Sequence, residues 1–428
     1  MPTSRRGFAA LLATGAVLGG GNATPFGRSI REFGARGAPG VIDTAAIQQG
    51  IDTLAARGGG RLVVPEGTFV SGALFLRPGV HLHLARGAVL KCTNDMAHFP
   101  PRRTRIEGHF EPSFTPALIN AEGCHGLRIS GEGVLDGSGR PVWDEFWRRR
   151  RAARDPHDFA NTSLPRARLA FIANSRDVVI EDVTFRNSQF WNLHLYACED
   201  VRVRRARFTV PDNYPQAPSS DGIDIDSCRR VLVEDCYFSV TDDCIAAKGS
   251  KGPHAREDKA SPPVEQVHVR GCHFRRGHHA FACGSEATVV RDVLVEDCRV
   301  SGAMVLAQFK LRPDTPQLYE RIVFRAITLD SDGGALIAAE PWTQYREALP
   351  PPLPQSCLRA VTLADLRGRF GSFGVLRPNP GQTRIEDIAF RDIDVELGDP
   401  ALVADDVARL SFTRVRVNAK ERTAPLPR

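Results

Sequence analysis

Apolar and polar residues alternate in short bursts along most of the chain, and the bursts follow one template. Two β-branched or aliphatic residues stand two apart; a small residue or cysteine comes three later, then a large apolar residue. Val178, Ile180, Val183 and Phe185 form one copy, followed by Val201, Val203, Ala206 and Phe208, and by Val231, Val233, Cys236 and Phe238. Val267, Val269, Cys272 and Phe274 continue it, then Val293, Val295, Cys298 and Val300, with looser copies at Ile322, Phe324, Ile327, Leu329 and at Ile385, Ile388, Phe390. Alternation within each copy predicts a strand with one buried face. The large residues recur 23, 30, 36, 26 and 29 positions apart. A variable period above twenty predicts a solenoid whose insertions are pushed into loops. Helical patterns are not interleaved between the copies, and the Asn-Gly or Asp-Gly hairpin signals of a β-sandwich are scarce. The expected fold is all-β: a single-stranded right-handed parallel β-helix forming one elongated domain over residues 24–428.

A solenoid needs its ends covered. Asp43–Leu54 reads as a short amphipathic helix with Asp43 as N-cap and Ile47, Ile51 and Leu54 on one face, an N-terminal cap. Two Pro-rich stretches, Leu349–Pro354 and Ala424–Arg428, read as loops. Of the ten cysteines, Cys236, Cys272 and Cys298 share one register, and Cys124, Cys198 and Cys228 another. In-register residues stack about 4.8 Å apart on neighbouring coils, so these are expected to be buried packing residues; no CxxC pair supports a metal.

Residues 1–23 read as an address. Ser4-Arg5-Arg6-Gly7-Phe8 is a twin-arginine signature, followed by an apolar stretch and a small-x-Ala cleavage site ending at Ala23. The expectation is twin-arginine export, with transient contact with that machinery, and a soluble monomer in the periplasm or outside the cell. The 428 residues carry a net charge of +6, and loss of Arg5 and Arg6 leaves +4. Fifty arginines against six lysines read as genome composition, and no nucleic-acid partner is inferred from the basic balance.

Chemistry concentrates in SSDGIDIDSCRRVLVEDCYFSVTDDCIAAK. Asp242 and Asp243 follow Asp221 by 21 and 22 residues, about one coil, which returns all three to one side. Three crowded acids repel, so at least one should hold a proton near neutrality. One protonated and one ionised carboxyl are what glycosidic hydrolysis requires. Asp224 and Asp226 read as turn residues or as supports behind the site. One coil on, His278 and His279 face the same side if the register holds. Lys248 and Lys310 are two of only six lysines, which suggests a need for a compact ammonium toward a substrate carboxylate. Trp191 and Trp342 either stack on sugar faces or pack. The arginine run 148–151, with Arg154, Trp143 and Trp147, reads as a solvated loop.

SSDGIDI, TDDCIAAK and RRGHHAFACGSE, in this order and at coil spacing, resemble the motifs of glycoside hydrolase family 28, the polygalacturonases and related pectin hydrolases. REFGARGAPGVIDTAAIQQGIDTLAARGGGRLVVPEGTF is similar to that family's N-terminal region. The resemblance implies an inverting hydrolase of α-linked galacturonide chains that needs no metal or other cofactor. Asp242 would be the general acid, Asp221 and Asp243 would activate water, and His278 would tune the acid. Lys310 would bind a uronate carboxylate. The sequence departs from the family pattern at Ser219-Ser220, at His279 and at Gln308, which stands where the family has an Arg. Arg312 is the candidate replacement, so Lys248, Gln308, Lys310 and Arg312 form the candidate substrate-binding set. A rhamnogalacturonan or other branched pectin is the alternative substrate. A β-helix polysaccharide lyase and a non-catalytic carbohydrate-binding solenoid are the alternatives of other kinds.

Overall fold

The computed structural model describes residues 27–155, 159–214, 216–342 and 355–424. The twin-arginine segment, Leu349–Pro354 and most of the C-terminal tail therefore lie outside the described residues. The chain winds as a right-handed parallel β-helix whose coils contribute one short strand to each of three parallel sheets.

In the first sheet Val178, Val201, Val231, Val267, Val293 and Ile322 stand on successive rungs. In the second, Phe185, Phe208, Phe238, Phe274 and Val300 do so. The four phenylalanine rings stack at 4.9, 5.1 and 5.2 Å, close to the rung spacing of a sheet. The core is thus a set of apolar columns. Between the first and second sheets the chain turns at one residue in the left-handed region: Asp182, Arg205, Asp235, Gly271 and Asp297 on consecutive coils. Asp and Gly accept that conformation at low cost, and the residue after each (Val183, Ala206, Cys236, Cys272, Cys298) enters the core corner. All ten cysteines are free thiols, nine of them buried. The late copy falls one place out of the template: Phe390 pairs with Leu363, continuing the column of Phe324 rather than that of Phe185.

Helix α1 (Thr44–Ala56) covers the N-terminal coil with Ile47, Gly50, Ile51 and Leu54. Asp43 stands at its N-cap position, but its carboxylate accepts instead from the backbone N–H of Arg36 and Gly37, at 2.8 and 2.9 Å, tying the preceding loop to the cap.

The outer face of the first sheet carries two charge columns. Arg176, Glu199, Arg229, Glu265, Arg291, Glu320, Arg359 and Glu386 alternate in sign over eight consecutive rungs. Glu181, Arg204, Glu234, Arg270, Glu296 and Arg325 do so over six. Opposite charges on adjacent strands stabilise a sheet by roughly 0.2–1 kcal/mol per pair.

Long excursions leave the solenoid at the corner between the second and third sheets. One is a hairpin, Arg102–Ile106 with His109–Phe114. The next holds helix α2 (Arg140–Ala152), where a loop was expected. Trp143 and Phe146, three apart, bury one face of it, and Glu145 pairs with Arg148 and Arg149 on the other. Asp221, Asp242–Asp243 and His278 occupy the same corner on later coils.

Candidate active site

Asp221 and Asp243 each precede a third-sheet strand, Ile223–Asp226 and Ile245–Lys248, and adjacent rungs bring them together. Short hydrogen bonds fix the corners. Ser220 Oγ meets Thr241 Oγ1 at 2.9 Å and accepts from the Thr241 backbone N–H at 3.0 Å. Asn192 Nδ2 donates to the Asp221 carbonyl at 2.9 Å. The buried Arg166 donates to Pro218 O (2.8 Å) and to Ser219 Oγ (3.2 Å). Ser219 and Ser220, where the sequence departs from the family pattern, therefore brace the acid-bearing turns.

These corners open into a cavity of about 390 Å3 lined by Asp221, Asp242, Asp243, His278, His279, Lys248 and Lys310. Lys310 Nζ donates to Asp243 at 2.8 Å, and His279 Nδ1 bonds the same carboxylate. His278 Nδ1 lies 3.3 Å from Asp242. Lys248 Nζ lies 4.0 Å from Asp221, 3.7 Å from Asp224 and 3.6 Å from Glu286.

The electrostatics separate the acids. Burial first, then Asp242 and Asp224, push the Asp221 carboxyl well above the usual range. Burial also raises Asp224, against the pull of Lys248, and neither of its oxygens has a hydrogen-bond partner. Burial alone would raise Asp243 too, but Lys310 and then His279 outweigh it and hold it well below the usual range. For Asp242, the His278 hydrogen bond overcomes burial and lowers it. The same bond lifts His278 to about 9. Asp242 is also the accessible acid: its side chain is 30% exposed, against 4% for Asp221 and 1% for Asp243.

Asp242, Asp243 and His278 present ligand atoms within 4.8 Å of one another. A cation there would face an ammonium already bonded to Asp243 and a histidine whose raised basicity favours the protonated form, so the donor set suits protons better than a metal.

Two of the candidate substrate-binding residues fall outside the cavity lining. Arg312 lies past the end of its strand, buried in an ion pair with Asp314 (Nε to Oδ1, 2.8 Å), and does not replace the family's Arg. Gln308 is buried between the rung neighbours Ala282 and Ala338. Asp226 is a buried support: Arg105 Nε donates to it at 3.0 Å, and His194, lowered to about 4 chiefly by burial, lies 3.5 Å away. Trp191 packs with Ile106, Phe114 and Phe190 while lining the cavity, and Trp342 lines it with Lys310 Nζ 4.8 Å from its ring.

The cavity also takes residues that the motif reading passed over or set aside. Trp147 and Arg150 reach it from α2, in the run expected to be a solvated loop. The run's helical spacing, Trp143–Phe146–Trp147–Arg150, was the available signal. Glu107, Asn161 and Glu286 line it as well. Glu286 was visible as the end of the Gly-Ser-Glu turn; Glu107 and Asn161 lie in excursions that carry no repeat to place them.

A family model for glycosyl hydrolases family 28 matches residues 104–406. The chain belongs to that family. It is 28% identical to a probable polygalacturonase of Vitis vinifera over 280 residues, 63% of this chain and 54% of that protein. It is 25% identical to an exo-poly-alpha-D-galacturonosidase of Dickeya chrysanthemi over 343 residues, 69% of this chain and 54% of that protein. The chain thus spans about half the length of these curated relatives. In fold it is similar to an exopolygalacturonase from Thermotoga maritima, with a TM-score of 0.75, 23% identity, and coverage of 95% of this chain and 96% of that one. A family 28 exopolygalacturonase of Yersinia enterocolitica gives a TM-score of 0.75 at 20% identity, covering 93% and 76%. In this family 28 member the three motif-like segments all contribute residues to one cavity.

Proposed function

We propose that this protein is an exported polygalacturonase that hydrolyses α-linked galacturonide chains of pectin with inversion. The observation that carries the reading is the division of labour among three adjacent carboxyls: Asp221 kept toward its acid form, Asp243 held ionised, and Asp242 exposed to the cavity. Asp242 is positioned to protonate the leaving oxygen, and Asp243, fixed by Lys310 and His279, to activate water with Asp221. The proton belongs to the trio as a unit, since such closely coupled groups titrate together. When the shared proton is on Asp242, Asp221 is ionised and can act as a base beside Asp243. Lys248, Lys310 and Arg150 supply positive charge for a uronate. The twin-arginine signature supports export, and no helix among the described residues is long and apolar enough to cross a membrane.

The test compares the mature protein with Asp242→Asn on polygalacturonate and on rhamnogalacturonan, following reducing ends, unsaturated uronides and the anomeric configuration of the first product. Reducing ends of inverted configuration without unsaturation, from polygalacturonate and lost in the variant, are expected. Unsaturated products point to elimination and overturn the acid–base assignment. Preference for rhamnogalacturonan overturns the substrate. Replacing Arg5 and Arg6 by Lys is expected to leave the protein in the cytoplasm.

A further inference from the structure

The hairpin at Arg102–Phe114 is not part of the repeat, and its placement over the third sheet is specific. Arg105, 1% exposed, donates to Asp226 at 3.0 Å and to Ser250 Oγ at 3.2 Å. Ile106 and Phe114 join Phe190 and Trp191 in a small apolar cluster, and Phe110 meets Tyr196 edge-on at 5.5 Å. At the tip, Glu107 and Gly108 have positive φ, 44° and 81°. A Cβ on Gly108 would come within 2.9 Å of both Glu286 Cβ and the Gly249 carbonyl. The tip is therefore seated directly on the turns that follow two third-sheet strands, leaving no gap for a sugar chain to pass between them.

This contact places Glu107 in the cavity lining with Glu286 and Asn161. A ring held there has no onward neighbour, because the backbone of the tip closes that end. Resting on the reading of the reaction above, we propose that Glu107 is a specificity-determining residue which, together with Glu286, binds the ring hydroxyls of the terminal sugar of a galacturonide chain. The chemistry favours hydroxyls over the sugar's own carboxylate. Paired carboxyl groups offer several acceptor positions suited to neighbouring O–H donors, whereas a uronate carboxylate would meet the like charge of Glu286. Glu286 is held ionised by Lys248 and Lys251 against the effect of burial, while burial and Glu286 raise Glu107. A terminal ring differs from every internal ring by one free hydroxyl, and a site that reads it selects chain ends.

The experiment uses the mature wild type, Glu107→Gln and Gly108→Ala. The substrates are trigalacturonate, the trimer whose non-reducing ring is 4,5-unsaturated and lacks the 4-hydroxyl, and the trimer reduced to an alditol at its other end. For trigalacturonate, kcat/KM is expected to fall about ten- to a hundredfold in Glu107→Gln, the range for a lost hydrogen bond to a charged group, chiefly through KM and with an unchanged thermal midpoint. Gly108→Ala, which lifts the tip without altering the carboxyl, is expected to act in the same direction. The gap between wild type and Glu107→Gln should close on whichever modified trimer no longer presents the ring hydroxyl that is read: the 4-hydroxyl, absent from the unsaturated ring, or the anomeric hydroxyl, lost when the other end ring is opened to the alditol. No loss in Glu107→Gln, or an equal loss on all three trimers, overturns the proposal. If the wild type hydrolyses none of them, the reading of the reaction has failed. Calorimetric binding of the same trimers then decides: the same pattern in Kd upholds the role of Glu107, and equal binding or none overturns it.

Discussion

The outer faces of the first and third sheets are built from the same repeat, yet they treat charge in opposite ways. On the first sheet each carboxylate has an arginine on the next rung, as with Arg270 Nη2 and Glu234 at 2.6 Å or Arg325 Nη2 and Glu296 at 2.5 Å. On the third, Asp221, Asp224 and the Asp242–Asp243 pair crowd around two lysines, and two of the carboxyls are pushed well above their ordinary range. The first arrangement is locally satisfied. The second is frustrated, and the frustration sets the protonation states that acid–base chemistry needs. The difference shows that the β-helix supplies only the stacking; what each column of side chains does follows from the sign pattern laid along it.

Removing Asp242 breaks the contrast most severely. Asp242→Asn is expected to lower kcat by about 10²–10⁴-fold, the usual contribution of a positioned acid, while the fold survives. It should also release His278. That imidazole, raised to about 9 by its bond to Asp242, is protonated through neutrality. The stability its partner contributes is fully present below the ordinary histidine range and is lost as pH rises through about 9. In Asp242→Asn the His278 titration, followed by NMR, is expected to move down toward the ordinary histidine value; a titration that stays near 9 breaks the assigned pairing.

Lys310→Met sharpens the comparison from the other side, since it strips a buried carboxylate of its cation. The Asp243 side chain is 1% exposed and bonds Lys310 at 2.8 Å. Breaking a buried pair of this kind costs about 3–5 kcal/mol when nothing else faces the charge; the His279 bond that remains holds the loss toward the low end, readable as a drop in the denaturation midpoint, with activity lost as well. Asp221→Asn should do the reverse to stability. A carboxyl raised in the fold contributes least when ionised: its stability is full below the unfolded pKa and is lost as pH rises through the folded one. Replacing it by a neutral isostere is expected to add roughly 1 kcal/mol or more at neutral pH while abolishing activity. An unchanged or lower melting point would show that the crowding is relieved by other means.

The coil columns were legible because they obey one local rule: Val178 to Ile322 and Phe185 to Phe274 face inward on every turn, and the period survives insertions of any length. The acid cluster was legible for the same reason, one coil being the distance from Asp221 to Asp242. Arg312 was misplaced although Pro313 marks the strand end close by; nothing in the sequence shows that Asp314 turns back to claim the guanidinium. Helix α2 and the hairpin were missed as parts of the cavity because their docking depends on contacts across the chain. Trp143 Nε1 to Ser188 O (2.9 Å) and Arg105 to Asp226, 121 residues away, are examples. The charge columns were open to view all along, since each residue of the first stands two places before the first aliphatic of its repeat and each residue of the second one place after the second apolar residue. They become meaningful only when adjacent rungs are paired.

The satisfied face yields the smallest effect and the cleanest control. Arg270 stands between Glu234 and Glu296, and its side chain is 50% exposed. Arg270→Glu puts three carboxylates on consecutive rungs, so the change removes one attractive contact and adds two repulsive ones. Exposed pairs of this kind are worth about 0.2–1 kcal/mol each, and solvent screening keeps the sum near the low end, at roughly 1 kcal/mol. Because the charges are exposed, 1 M salt, with a Debye length of about 3 Å, should remove most of the loss. The penalty of Lys310→Met, buried beneath the cavity, should persist in the same salt. Catalysis is expected to be untouched in Arg270→Glu, as the first sheet's outer face shares no residue with the cavity. Equal salt sensitivity of the two variants would mean that both faces are solvated alike, and the division between a satisfied wall and a frustrated one would fail.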